Sequence, residues 1–139
     1  MTTNNLMTVK KFEPKTAKRG KEMTIRKKEL RNELLKQNNN LEDIRNNFKD
    51  KISIDVCFNL YSGVQKDVSR YKKDLDNMLK IVLDVLKEKM DDDVKEPGLG
   101  VINDDNLIYE IISRKRLVDL PSDEGIDIRI SDYTYKFLA

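Results

Sequence analysis

The chain has 139 residues, enough for one domain with a modest core and too few for two. It is 38% hydrophobic and 37% charged with a net charge of +2, it lacks a membrane-spanning apolar run, and its single cysteine, Cys57, excludes an internal disulfide. It has no histidine, which excludes Ser–His and Cys–His nucleophilic schemes and histidine-bearing zinc sites, and leaves carboxylate, lysine and metal chemistry.

The charge is unevenly spread. Residues 1–51 carry 14 Lys and Arg against 7 Asp and Glu, and residues 52–139 carry 13 against 18. A basic first third suits contact with a phosphate backbone and an acidic remainder suits cation binding, although a solvated helix face accounts equally for the basic part. The start, MTTNNLMTVKK, has no apolar core of a secretory signal, so a reducing cytoplasm is the expected home.

Residues 1–21 show little periodicity and read as a flexible basic arm, with a short strand around Met7 to Phe12. Ile25, Leu30, Leu34 and Leu35, set among charges that can pair at helical spacing, predict a helix from Thr24 to about Gln37. Asn38, Asn39 and Asn40 end it, and Leu41, Ile44 and Phe48 predict a second short helical piece. From Lys51 to Leu60 the pattern alternates strictly, a strand whose core face carries Ile52, Ile54, Val56, Phe58 and Leu60. On its other face, Cys57 reads as a small residue with nothing basic and adjacent to activate the thiol, and Asp55 as an exposed acid or, if the strand passes beneath the start of the following long helix, as one that reaches that helix start.

Tyr61 to Lys73 is a loop ending in the basic set Arg70, Lys72 and Lys73. It leads into YKKDLDNMLKIVLDVLKEKM, where Leu75, Met78, Leu79, Val82, Val85, Leu86 and Met90 fall on one helical face. Asp91 to Gly100, with three consecutive aspartates, Pro97 and two glycines, reads as a solvated loop. Leu107 to Leu117 has apolar residues on both faces, as a central strand covered on both sides would, and Arg114, Lys115 and Arg116 extend it. Asp119 to Gly125 is a turn, and Ile126, Ile128 and Ile130 mark a last strand. Tyr133, Tyr135, Phe137 and Leu138 form an aromatic tail that closes the chain's own core or, alternatively, covers a partner subunit. The elements together make an α/β (α+β) fold: a small mixed sheet from residues 51–60, 106–117 and 125–131, packed on two main helices near 24–37 and 74–90.

Two clusters of carboxylates stand out. Asp74 and Asp76 bracket Leu75 at the helix start, followed by Asn77 and Lys80; Asp104 and Asp105 sit where the long strand begins. Asp74 is the natural N-cap, and Asp76 gains from the helix dipole, so caps account for part of this pattern. Paired aspartates at a strand mouth that face a helix opening with two more also supply the oxygen ligands Mg²⁺ prefers, with room for water and phosphate.

The order Arg70, Lys72, Lys73, Asp74-Leu75-Asp76-Asn77, Lys80, an apolar helix, Asp104-Asp105 and a basic strand resembles the RusA family of Holliday-junction resolvases. The resemblance spans Lys51 to Ile130, and the constellation as a whole carries it. The segment 91–100 departs from the family, in which the path from helix to paired Asp is shorter.

The resemblance implies a single RusA-like nuclease domain over residues 22–139, acting as a homodimer on branched DNA, the four-way junction. It implies Mg²⁺, with Mn²⁺ able to substitute, held by Asp74, Asp76 and Asp105, with Asp104 as a fourth ligand or support. Lys80 would stabilise transition-state charge, Asn77 would orient a carboxylate, and Arg70, Lys72, Lys73, Arg114, Lys115 and Arg116 would hold DNA phosphates. Lys80 as an ordinary ion-pair partner of Asp76 or Asp84 is the plainer reading of that residue. Another Mg²⁺-dependent nuclease acting on flaps, forks or duplex, and a non-catalytic nucleic-acid-binding module, are the competing functions.

Overall fold

A computed structural model describes residues 5–16, 20–61, 73–91 and 94–135. Its fold is α+β. A four-stranded mixed sheet has the order β1-β6-β2-β5, with β1 Leu6–Lys10, β2 Ile52–Tyr61, β5 Ile108–Val118 and β6 Gly125–Asp132. β6 is antiparallel to both β1 and β2, whereas β2 and β5 run parallel. The helices are α1 Lys21–Gln37, α2 Leu41–Asn47 and α3 Leu75–Leu86, and a two-stranded hairpin, β3 Lys89–Asp91 and β4 Val94–Pro97, lies between α3 and β5.

The alternation in β2 is what organises the layers. Ile52, Ile54, Val56, Phe58 and Leu60 are all buried, and on the same side lie Met7 and Val9 of β1 and Ile126, Ile128 and Ile130 of β6. The helices cover this face: Leu30 of α1 and Met78, Ile81 and Val82 of α3 meet Phe58 and Ile126 there. The opposite face carries Asp55, Cys57, Arg114, Arg116, Asp127 and Arg129 around an open groove.

The short strand expected near the start is present, and Met7 and Val9 belong to the core, so the stretch expected as an arm contributes an edge of the sheet. Its fit depends on Gly125, because a Cβ there would stand 1.8 Å from the Val9 carbonyl oxygen.

Three other expectations change. α3 stops at Leu86 rather than running to Met90, because the backbone N–H groups of Gly98, Leu99, Gly100 and Ile102 donate to the carbonyls of Glu88, Val85, Lys87 and Leu86. The stretch expected as a solvated loop over 91–100 thus holds one strand of a hairpin and a segment that closes the helix end; Asp92 and Asp93 lie outside the described residues. β5 is an edge strand, paired among the described residues with β2 alone, and most of its side chains are exposed, so it is not the central strand covered on both sides. Of the aromatic tail, the described residues Tyr133 and Tyr135 lie outside the buried core: Tyr133 packs at a tilt on Tyr109 with ring centroids 5.4 Å apart and Tyr135 is exposed, while Phe137 and Leu138 lie outside the described residues.

Candidate active site

α3 forms where the sequence supplies a cap and an apolar stripe. Asp74 is the N-cap: one carboxylate oxygen accepts from the Asp76 N–H at 3.0 Å, and the other accepts from the Asn77 amide at 3.4 Å. The Asn77 side chain thus donates to the capping carboxylate. The same device recurs before β5, where Asp104 accepts from the Asn106 N–H at 3.0 Å and from its side-chain amide at 3.4 Å, opening a 3₁₀ turn over Asp105–Leu107.

Asp74 and Asp104 act as caps, and the carboxylates beside them, Asp76 and Asp105, are exposed like the caps themselves. Met78, Ile81, Val82, Val85 and Leu86 point into the core, which leaves Asp76, Lys80, Asp84 and Lys87 as a stripe of alternating sign at helical spacing on the other side. This stripe faces Asp105 across a cleft of about 440 Å³ between α3 and the start of β5, with Leu79, Leu83 and Ile111 among its apolar walls. Asp76, Lys80 and Asp105, named from the sequence, thus share one cleft. Lys80 makes no ion pair with Asp76 or Asp84 among the described residues, so its ammonium is available to the cleft.

Lys87 is the residue that sequence reasoning missed. Its ammonium lies 3.2 Å from Asp84 and 3.2 Å from Asp105, joining the helix to the turn that carries Asp105. Burial alone would lower its pKa; hydrogen bonds to Asp84 and Asp105 and their charges outweigh that and hold it above the ordinary lysine value. Asp84 in turn pairs at 2.8 Å with Lys27, which is 2% exposed. Lys27 falls three and seven residues before Leu30 and Leu34, a helical spacing that marks it as core-facing despite its charge.

The fit to a divalent cation is partial. Among the described residues no three His, Cys, Asp or Glu side chains converge closely enough to hold a metal, so Asp74, Asp76, Asp104 and Asp105 do not assemble into one cage. Mg²⁺ is ordinarily held by one or two carboxylates with water and substrate phosphate completing the shell, and Asp76, Asp84 and Asp105 are the carboxylates that line this cleft.

The basic residues divide. Lys115 lies on the helix side, its ammonium donating to the Lys73 carbonyl at 3.2 Å. Lys73 is held by Glu13 at 2.8 Å and by the Pro14 carbonyl, which engages the cation expected to meet phosphate. Arg114 and Arg116 stand on the opposite face of the sheet, Arg114 at 3.2 Å from Asp55 and Arg116 bonded to Asn59 at 2.9 Å, because register with β2 sends alternate residues to opposite sides. They line a different surface from Asp76 and Asp105. Arg70 and Lys72 lie outside the described residues. Cys57 sits on that same open face, where burial first and Asp127 and Asp55 next push the thiol above its ordinary pKa against the pull of Arg116 and Arg114.

Comparison with family models, with curated proteins and with solved structures finds no match for this chain. Among the described residues no helix is long and apolar enough to cross a membrane.

Proposed function

We propose that the chain is a Mg²⁺-dependent endodeoxyribonuclease of the RusA type that resolves four-way DNA junctions in the cytoplasm, acting as a homodimer. The observation that carries this reading is the convergence of Asp76, Lys80 and Asp105 on one cleft. Asp76 and Asp105 would hold the cation, with Asp74 fixing the start of α3 beneath them. A bound Mg²⁺ supplies charge neutralisation at the phosphoryl group and a deprotonated water at neutral pH. Lys80 sets an ammonium against the charge that grows on the phosphoryl oxygens. Lys87 holds Asp105 in place, and the apolar wall of Leu79, Leu83 and Ile111 limits water around the reacting group.

The test is cleavage of a labelled four-way junction, a linear duplex and a flap, with Mg²⁺ and with EDTA, by wild type and Asp76→Asn. Metal-dependent paired nicks near the crossover that disappear in the variant support the full reading. Equal cutting of all three substrates keeps the nuclease and removes the junction preference. One observation favours a second reading, a non-catalytic nucleic-acid-binding module: Asp74 and Asp104 serve as caps. Its outcome is junction binding by both proteins with no cutting by either.

A further inference from the structure

β5 is a sheet edge that lacks most of the features that normally protect one. It runs 11 residues without Pro or Gly, its one irregularity lies at its first residues, and no described strand pairs with its outer side. Eight large hydrophobic residues are exposed among the described residues, and four of them are on this strand: Tyr109 at 54%, Ile111 at 42%, Ile112 at 41% and Leu117 at 55%. Apolar exposure concentrated on one edge marks an interaction surface.

We propose that this edge pairs with β5 of a second copy, antiparallel across a two-fold axis at Ile112 or Ser113, so that two four-stranded sheets become one. The charge pattern selects the occupant. A two-fold axis perpendicular to the sheet sets residues of the same face opposite each other, so an axis at Ile112 places Glu110 against Arg114 of the second copy. An axis at Ser113 places Glu110 against Arg116. Opposite charges across strands stabilise a pair, and axes further along, at Lys115, would set Arg114 against Arg116. The cationic run therefore guards the edge against strands in general but not against its own antiparallel copy. Asp55, 3.2 Å from Arg114, keeps that guanidinium on the open face with donors to spare.

The pairing bears on the cleft. Ile111 is exposed on the edge strand and also lines the cleft with Asp76 and Asp105, so an added strand would border that cleft. The interface is argued from the strand alone and holds whether or not the chain cuts DNA.

Sedimentation velocity of the full chain should give twice the chain mass. Ile112→Lys should shift it to one chain mass with an unchanged far-ultraviolet circular dichroism spectrum. With Cys57→Ser as background, mild oxidation of Ile112→Cys or Ser113→Cys should give a disulfide-linked dimer, since directly opposed antiparallel residues have Cα atoms about 4.5–5.5 Å apart, within disulfide reach. Asn47→Cys on α2 should not cross-link. A wild type of one chain mass, or a dimer that cross-links at neither β5 position or as readily at Asn47→Cys, overturns the proposal.

Discussion

The Lys87 ammonium sits 3.2 Å from Asp105 and 3.2 Å from Asp84, and this bridge fixes the carboxylate of one element against the helix of another. Partners of this kind orient a functional group without touching substrate, and losing them typically costs about 10–100-fold in activity or metal affinity. Lys87→Met should therefore lower the single-turnover cleavage rate by about that factor and raise the Mg²⁺ concentration for half-maximal rate, with Lys87→Arg recovering part of both. A rate loss with no change in Mg²⁺ dependence would mean that Lys87 acts on the fold rather than on Asp105.

The same bridge carries a pH signature. The folded Lys87 binds its proton more tightly than an unfolded lysine of ordinary value 10.5, so its contribution to stability is complete below that pH and is lost as pH rises through the higher folded value. The difference in urea midpoint between wild type and Lys87→Met should stay level from neutral pH to about 10.5 and close above it. A difference that closes nearer neutrality would assign the effect to another group.

Beneath the cleft, Asp84 serves two lysines at once, Lys27 at 2.8 Å and Lys87 at 3.2 Å. Removing one partner of a buried pair leaves an uncompensated charge and typically costs about 3–5 kcal/mol, whereas replacing both by apolar groups is often neutral. Asp84→Ala should fall in that range by urea denaturation. Lys27→Met should cost less, because Asp84 keeps Lys87, and the double variant Lys27→Met with Asp84→Leu should regain most of the loss.

The elements were legible in the sequence because their periods are local: the alternation of β2, the Asp74 cap and the stripe of α3 are set by residues within a few positions of one another. Non-local contacts account for the differences. α3 ends at Leu86 because a segment beyond the hairpin takes its last carbonyls, and no residue near Leu86 announces that. β5 has apolar residues on both faces, a pattern common to a central strand and to an edge awaiting a partner; only the sheet order separates them. In the candidate site, the carboxylate clusters that include Asp76 and Asp105 could be named from residue type and spacing, and the role of Lys80 only through the family resemblance. The pairing of Lys87 with Asp105 could not, since it depends on where the turn before β5 packs. Lys27 hid behind its charge, although its spacing to Leu30 and Leu34 placed it inward.

The register of β5 against β2 yields the sharpest contrast between two cations. Lys80 lines the cleft with Asp76 and Asp105, while Arg116 lies across the sheet, bonded to Asn59 and 3.9 Å from Asp127. Removing one positioned donor to developing charge typically costs about 10²–10³ in rate. Lys80→Ala should show that loss at saturating protein with junction affinity largely kept, because a single cation contributes little to backbone binding that many phosphate contacts share. Arg116→Ala should leave the single-turnover rate at saturation within about twofold, its guanidinium having no path through the sheet to the reacting phosphate. Both rates follow from quenched-flow cleavage of a labelled junction. Equal losses in the two variants would mean that the scissile phosphate lies on neither face alone, and the cleft between α3 and β5 would lose its claim to the chemistry.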